Sequence, residues 1–137
     1  MRIAVVFFPA SQRNKLLDIA KALGRGIESQ GHQVDLIDGT RDVNTKLTIY
    51  EYIAVGTEQL NLFGGKIPPK VTEYLKNAGI VGGKKSFAFV LKRPLGTSKT
   101  LRSLMSAMES EGMFLRVSDV LASPEGAEAV GKRLKIA

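Results

Sequence analysis

The chain has 137 residues, 44% of them hydrophobic, and a formal net charge of +7, enough length and apolar content for one domain spanning 1–137 to bury its own core. It has no cysteine, which excludes a disulfide framework, a thiolate metal site and a cysteine nucleophile, and fits a cytoplasmic protein. No run approaches the roughly 18 apolar residues of a membrane span, so no membrane partner is expected.

Ile3 to Phe8 is an apolar run of strand length. Leu16, Leu17, Ile19, Ala20, Leu23 and Ile27 follow at three- and four-residue spacing, which predicts a helix with one apolar face ending near Gly31. Gln33 to Ile37 alternates, with Asp35 opposed to Val34 and Leu36, and reads as a half-exposed strand closed by the Asp38-Gly39 turn. Residues 40–48 are polar and aperiodic, a loop leading to a third strand over Tyr52 to Gly56. Pro68-Pro69 suits a helix start, where a missing N–H costs nothing, and Val71, Tyr74, Leu75 and Ala78 carry the stripe to Gly79. After Gly82-Gly83, the run Ser86 to Leu91 predicts a fourth strand. Gly96-Thr97-Ser98 offers a cap for a helix bearing Leu101, Leu104, Met105 and Met108 and stopped by Gly112. Met113 to Val117 predicts a fifth strand with Arg116 inside it. Ser123-Pro124-Glu125 supplies a cap, a first-turn proline and a dipole-favourable acid for the last helix.

Alternating strands and helices predict a doubly wound α/β domain with a five-stranded parallel sheet. Continuous apolar strands belong in the middle of such a sheet and charge-bearing strands at its edges. Strands two and five carry Asp35 and Arg116, so the order 2-1-3-4-5, with helices on both faces, satisfies charge and right-handed crossover together. Ligands of such sheets collect at the carboxyl ends of the strands, here the loops 9–15, 57–67 and 92–98.

Several chemistries that use this architecture are excluded by what those loops lack. Pro9 to Asn14 holds no glycine, so a dinucleotide fingerprint is missing. A phosphate-accepting receiver needs acids where the chain has Phe7-Phe8 and Gly56-Thr57, and the Gly96 to Thr100 segment lacks the first glycine of a P-loop. His32 is the only histidine and sits in a turn beside Gly31. No convergent histidine, cysteine or carboxylate cluster is evident, so no catalytic or metal-binding residue is assigned.

Arg2 to Phe8, Lys15 to Ser29 and Gly31 to Asp38 resemble the opening of short-chain flavodoxins. Tyr50 to Gly56, followed by Gly64-Gly65-Lys66-Ile67-Pro68-Pro69-Lys70-Val71, resembles the third strand, glycine-bearing flavin loop and proline-started helix of flavodoxin-like proteins. The resemblance covers nearly the whole chain. It implies non-covalent binding of FMN and electron transfer to or from a redox partner. The FMN phosphate would then face the first loop, where Ser11, Gln12, Arg13, Asn14 and Lys15 stand in place of the family's Ser/Thr-x-Thr-Gly-x-Thr pattern. The other reading of that loop is that Ser11 caps the helix while Arg13 and Lys15 stay in water. In the second loop Thr57, Glu58, Gln59, Asn61, Leu62, Phe63 and Gly64 would line the flavin, with Phe63 stacking on it. Leu62 and Phe63 have an alternative use as cover for the helix below.

The third loop contributes Lys92, Arg93 and Gly96, and here the sign of charge departs from the family, whose flavin surroundings are usually acidic. No acid occurs between Glu73 and Glu109, while that interval holds Lys76, Lys84, Lys85, Lys92, Arg93, Lys99 and Arg102, as many cations as the whole net charge. Three functions remain open: an FMN electron carrier; a module that has lost FMN and binds an acidic protein surface or small anion through this basic edge; and, on charge alone, nucleic-acid binding. The last is the weakest, because no aromatic residues interleave with the bases.

Overall fold

Apolar strands with no polar face can be satisfied only between two neighbours and two layers of helix, and that constraint sets the architecture. The computed structural model describes residues 1–137. Its elements in chain order are β1 (Arg2–Phe8), α1 (Arg13–Glu28), β2 (Gln33–Asp38), β3 (Tyr52–Thr57), α2 (Pro69–Lys76), β4 (Lys85–Leu91), α3 (Thr97–Ser110), β5 (Phe114–Leu121) and α4 (Pro124–Arg133). All pairings are parallel and the sheet order is β2-β1-β3-β4-β5, as the distribution of charged strands predicted. Successive residues of β1 alternate between two cores. Ile3, Val5 and Phe7 join the layer of α1 and α4, and Ala4, Val6 and Phe8 join the layer of α2 and α3.

Both edge strands accommodate their charges in identifiable ways. Arg2 and Tyr50 reach the Asp35 carboxylate of β2, at 3.3 and 2.7 Å. In β5, Ser86 pairs with Leu115 but Phe87 pairs with Val117, so Arg116 is the extra residue of a bulge, and its guanidinium stacks on Phe114 at 5.5 Å. β5 runs on to Leu121, paired with Leu91 of β4, well past the Val117 expected from the apolar run.

Two helix starts lack the hydroxyl caps their sequences offer. Ser11 does not cap α1; Gln12 holds the cap position without a side-chain bond. Nor do Thr97 or Ser98 cap α3, which begins after Gly96 in the left-handed region at φ 76°. Thr97 Oγ1 instead accepts from the Arg93 N–H and donates to the Arg93 carbonyl, closing the loop on itself. Ser123 does cap α4, accepting from the Gly126 N–H. No helix is long and apolar enough to cross a membrane.

Candidate functional site

The carboxyl ends of β1, β3 and β4 deliver the three predicted loops to one edge of the molecule. The first and second are joined by a single side chain. Glu58, directly after β3, is fully buried, and its carboxylate accepts from the Ala10 N–H at 2.7 Å, from the Gln12 N–H at 3.0 and 3.1 Å, and from Ser11 Oγ at 3.3 Å. Amides that lead into a helix have no intrahelical acceptor and point toward the positive end of its dipole, so an anion is the natural occupant. Here the chain supplies that anion itself. Beside it, Thr57 Oγ1 donates to the Phe8 carbonyl at 2.9 Å and fastens the end of β3 to the end of β1.

The second and third loops are joined more extensively. Gln59 Nε2 donates to the carbonyls of Asn61 and Leu95, at 3.0 and 2.8 Å, and its Oε1 accepts from Thr100 Oγ1 at 3.3 Å. Thr100 Oγ1 also accepts from the Gly65 N–H, and Ser103 Oγ donates to the Gly65 carbonyl. Gly64 and Gly96 meet backbone to backbone. A Cβ on Gly64 would lie 2.1 Å from the Gly96 oxygen, and one on Gly96 would lie 1.9 Å from the Phe63 oxygen. Both residues have positive φ, so glycine is required for conformation and for approach alike. Asn61 Oδ1 accepts from the Lys66 N–H and shapes the turn between them.

The cations divide into two groups. Arg13 turns away from the loop edge, pairs with Asp38 and donates to Thr40 Oγ1 at 3.0 Å. Burial pushes the Asp38 carboxyl up, but hydrogen bonds from Thr40 and Arg13 and the Arg13 charge outweigh it and hold the group below its ordinary value. Lys15 instead joins Lys92 and Arg93 around a shallow depression. None of Lys15, Lys66, Lys92, Arg93, Lys99 and Arg102 has a carboxylate within ion-pair distance. Between them the loops push out apolar side chains: Leu62 and Phe63 are each 68% exposed and Leu95 is 49% exposed. Leu62 and Phe63 therefore do not cover the helix beneath. Asn14 is likewise on the surface.

No family model and no curated protein matches the chain. Solved structures do. A flavodoxin from the domain Archaea superposes with a TM-score of 0.70 at 18% identity, over 96% of this chain and 94% of that one. Oxidised flavodoxin 1 from Bacillus cereus gives 0.72 at 15% identity, over 98% and 100% of the two chains. The flavodoxin of Streptococcus pneumoniae TIGR4 gives 0.72 at 16% identity, over 96% and 97%. This chain has the flavodoxin fold.

The flavodoxin fold raises the question whether FMN fits these loops, and the residues present argue that it does not. A phosphate ahead of α1 would find the Ala10 and Gln12 amides already taken by Glu58, and it would bring a second negative charge toward a buried carboxylate. A flavin ring between the second and third loops would have to separate Gly64 from Gly96. Of the residues expected to hold the cofactor, Thr57, Glu58, Gln59, Gly64 and Gly96 are consumed in joining loop to loop, and Arg13 in pairing with Asp38. Lys15, Lys92 and Arg93 are brought together with charge to spare. The sequence carried no signal for Thr100 as the partner of Gln59 and Gly65, or for Asp38 as the partner of Arg13. Glu58, expected as a flavin contact, instead accepts from the first loop.

Proposed function

We propose that this chain is a binding module of the flavodoxin fold that works without FMN and engages an acidic protein surface through its loop edge. The buried Glu58 carboxylate, seated in the amides that would otherwise receive a phosphate, carries this reading. The chemistry left to such an edge is recognition: Leu62, Phe63 and Leu95 form an apolar centre, and Lys15, Lys66, Lys92, Arg93 and Lys99 lie on the same loop edge without acidic partners. Desolvated aromatic and aliphatic anchors supply most of the energy of an interface, while charges around them set approach and orientation. FMN-dependent electron transfer is the second reading, favoured by the likeness to solved flavodoxins.

Titration of FMN with the purified protein separates the two. The expected result is no quenching of flavin fluorescence at high micromolar protein; saturable quenching would establish the second reading instead. In parallel, polyglutamate should retain the protein at low salt and release it as salt rises, and changing Lys92, Arg93 and Lys99 to glutamate should abolish retention. Retention unaffected by that triple change would remove the loop edge from the proposal.

A further inference from the structure

A second feature lies between the edge strand β5 and α4. Its origin is the way α4 is anchored. Gly26 and Gly131 bring α1 and α4 into backbone contact: a Cβ on Gly26 would lie 2.2 Å from the Glu128 oxygen, and one on Gly131 would lie 2.4 Å from the Leu23 oxygen. Arg25 pairs with Glu128 at 3.0 Å, and Gln30 Nε2 donates to the carbonyls of Gly131 and Leu134, at 2.7 and 2.9 Å. A helix held this firmly to α1 does not fully cover the last strand. The result is a cleft of about 340 Å³ with Val117, Val130 and Leu134 among its walls, and Val117 is 46% exposed.

The rim of the cleft is cationic. Arg116, displaced by the β5 bulge, stands there with Arg133 and Lys135, and none of the three has a carboxylate within ion-pair distance. Asp119 is the one acid of the lining, and its Oδ1 accepts from the neighbouring Val120 N–H.

The geometry points to a binding site here for a small amphipathic oxyanion, a carboxylate or phosphate monoester on a short alkyl body. The alkyl part rests on Val117, Val130 and Leu134, and the head takes the forked guanidinium groups of Arg116 and Arg133. The lining contains no aromatic face for a base, which selects against nucleotides. This site is independent of the loop edge and of whatever that edge binds.

Amide chemical shifts of the intact chain, followed during titration, test it. Hexanoate and hexyl phosphate are the probes, with acetate as the head without a body and hexylammonium as the body with the wrong charge. Saturable shifts confined to residues 115–120 and 130–135 are expected with one or both probes, the tighter of the two identifying the head group. Acetate and hexylammonium should give none. Arg133→Gln should weaken binding by about tenfold, the size of one charge-assisted contact, and Val117→Glu should abolish it, both at exposed positions that leave the circular dichroism spectrum unchanged. Shifts that do not saturate, that spread over the chain, or that hexylammonium reproduces would overturn the assignment.

Discussion

A carboxylate taken out of water keeps its place only if donors replace the water it lost, and Glu58 meets that condition with two backbone amides and a hydroxyl. The same contacts order the loop ahead of α1, so one side chain satisfies both partners. Its removal therefore has two consequences of opposite kind. Glu58→Ala leaves the Ala10 and Gln12 amides without acceptors and should cost about 1–3 kcal/mol for each donor that water does not recover. It also frees those amides for an external anion. Inorganic phosphate should then raise the melting temperature of the variant in proportion to the logarithm of its concentration, while leaving the wild type unmoved. Equal behaviour of the two proteins in phosphate would mean that Glu58 does not stand in for an anion. None of this was legible in the sequence beyond the position of the residue. A strand-terminal glutamate reads as a surface group or a ligand contact, and only the path of residues 9–12 shows where its oxygens go.

Elements were more legible than residues, for a physical reason that Asp35 and Arg116 illustrate. A charge inside a strand can be solvated only at a sheet edge, so two charges sufficed to place β2 and β5 on the outside and the uninterrupted strands within. What periodicity could not show was the bulge that displaces Arg116, because an arginine inside a strand reads equally as an edge position, and the extra residue appears only in the pairing of β4 with β5. Composition placed the start of α3 at Gly96-Thr97-Ser98 but did not show which of the three holds the cap. Gly96 starts α3 by its conformation, and the Thr97 hydroxyl is drawn off to Arg93. Gly26 and Gly131 carried no signal at all, since a glycine within a helix pattern looks like a weakness until its partner helix is known. Their contact leads to a prediction at this scale. Gly131→Val should push α4 away from the Leu23 carbonyl and destabilise the fold by about 1–3 kcal/mol, read as a lower urea midpoint with an unchanged slope. An unaltered midpoint would show that α4 slides on α1 without cost, and the cleft beside β5 would then have no fixed wall.

Over the whole molecule, the tyrosines couple the core to alkaline pH. All three are raised to about 12: Tyr50 by burial and by the Asp35 carboxylate that accepts its hydroxyl, Tyr52 by burial, and Tyr74 by burial with Tyr50 and Asp42 adding to it. A phenol whose folded value lies above its unfolded value of 10.0 binds its proton more tightly in the native state. Its contribution is complete below pH 10 and is lost as pH rises toward 12. Lys84 works in the other direction. Desolvation lowers it, although Glu51 opposes that, while its ammonium donates to the carbonyls of Leu47, Thr48 and Tyr50. Native protein therefore releases the Lys84 proton before unfolded protein does, which adds stability as pH rises. Three phenols act against one amine, so the balance falls with pH. In an alkaline titration the near-ultraviolet phenolate absorbance should lag behind that of free tyrosine and then rise together with the loss of helical circular dichroism, as one cooperative step. Asp38 supplies the acid limb with the reverse sign. Its folded value lies below its unfolded value, so its contribution is present above the unfolded value and fades as pH falls through the folded one. Ionisation of the tyrosines near pH 10 with the helices intact would mean that Tyr52 and Tyr74 reach water, and that the two cores on either side of the sheet are open to it.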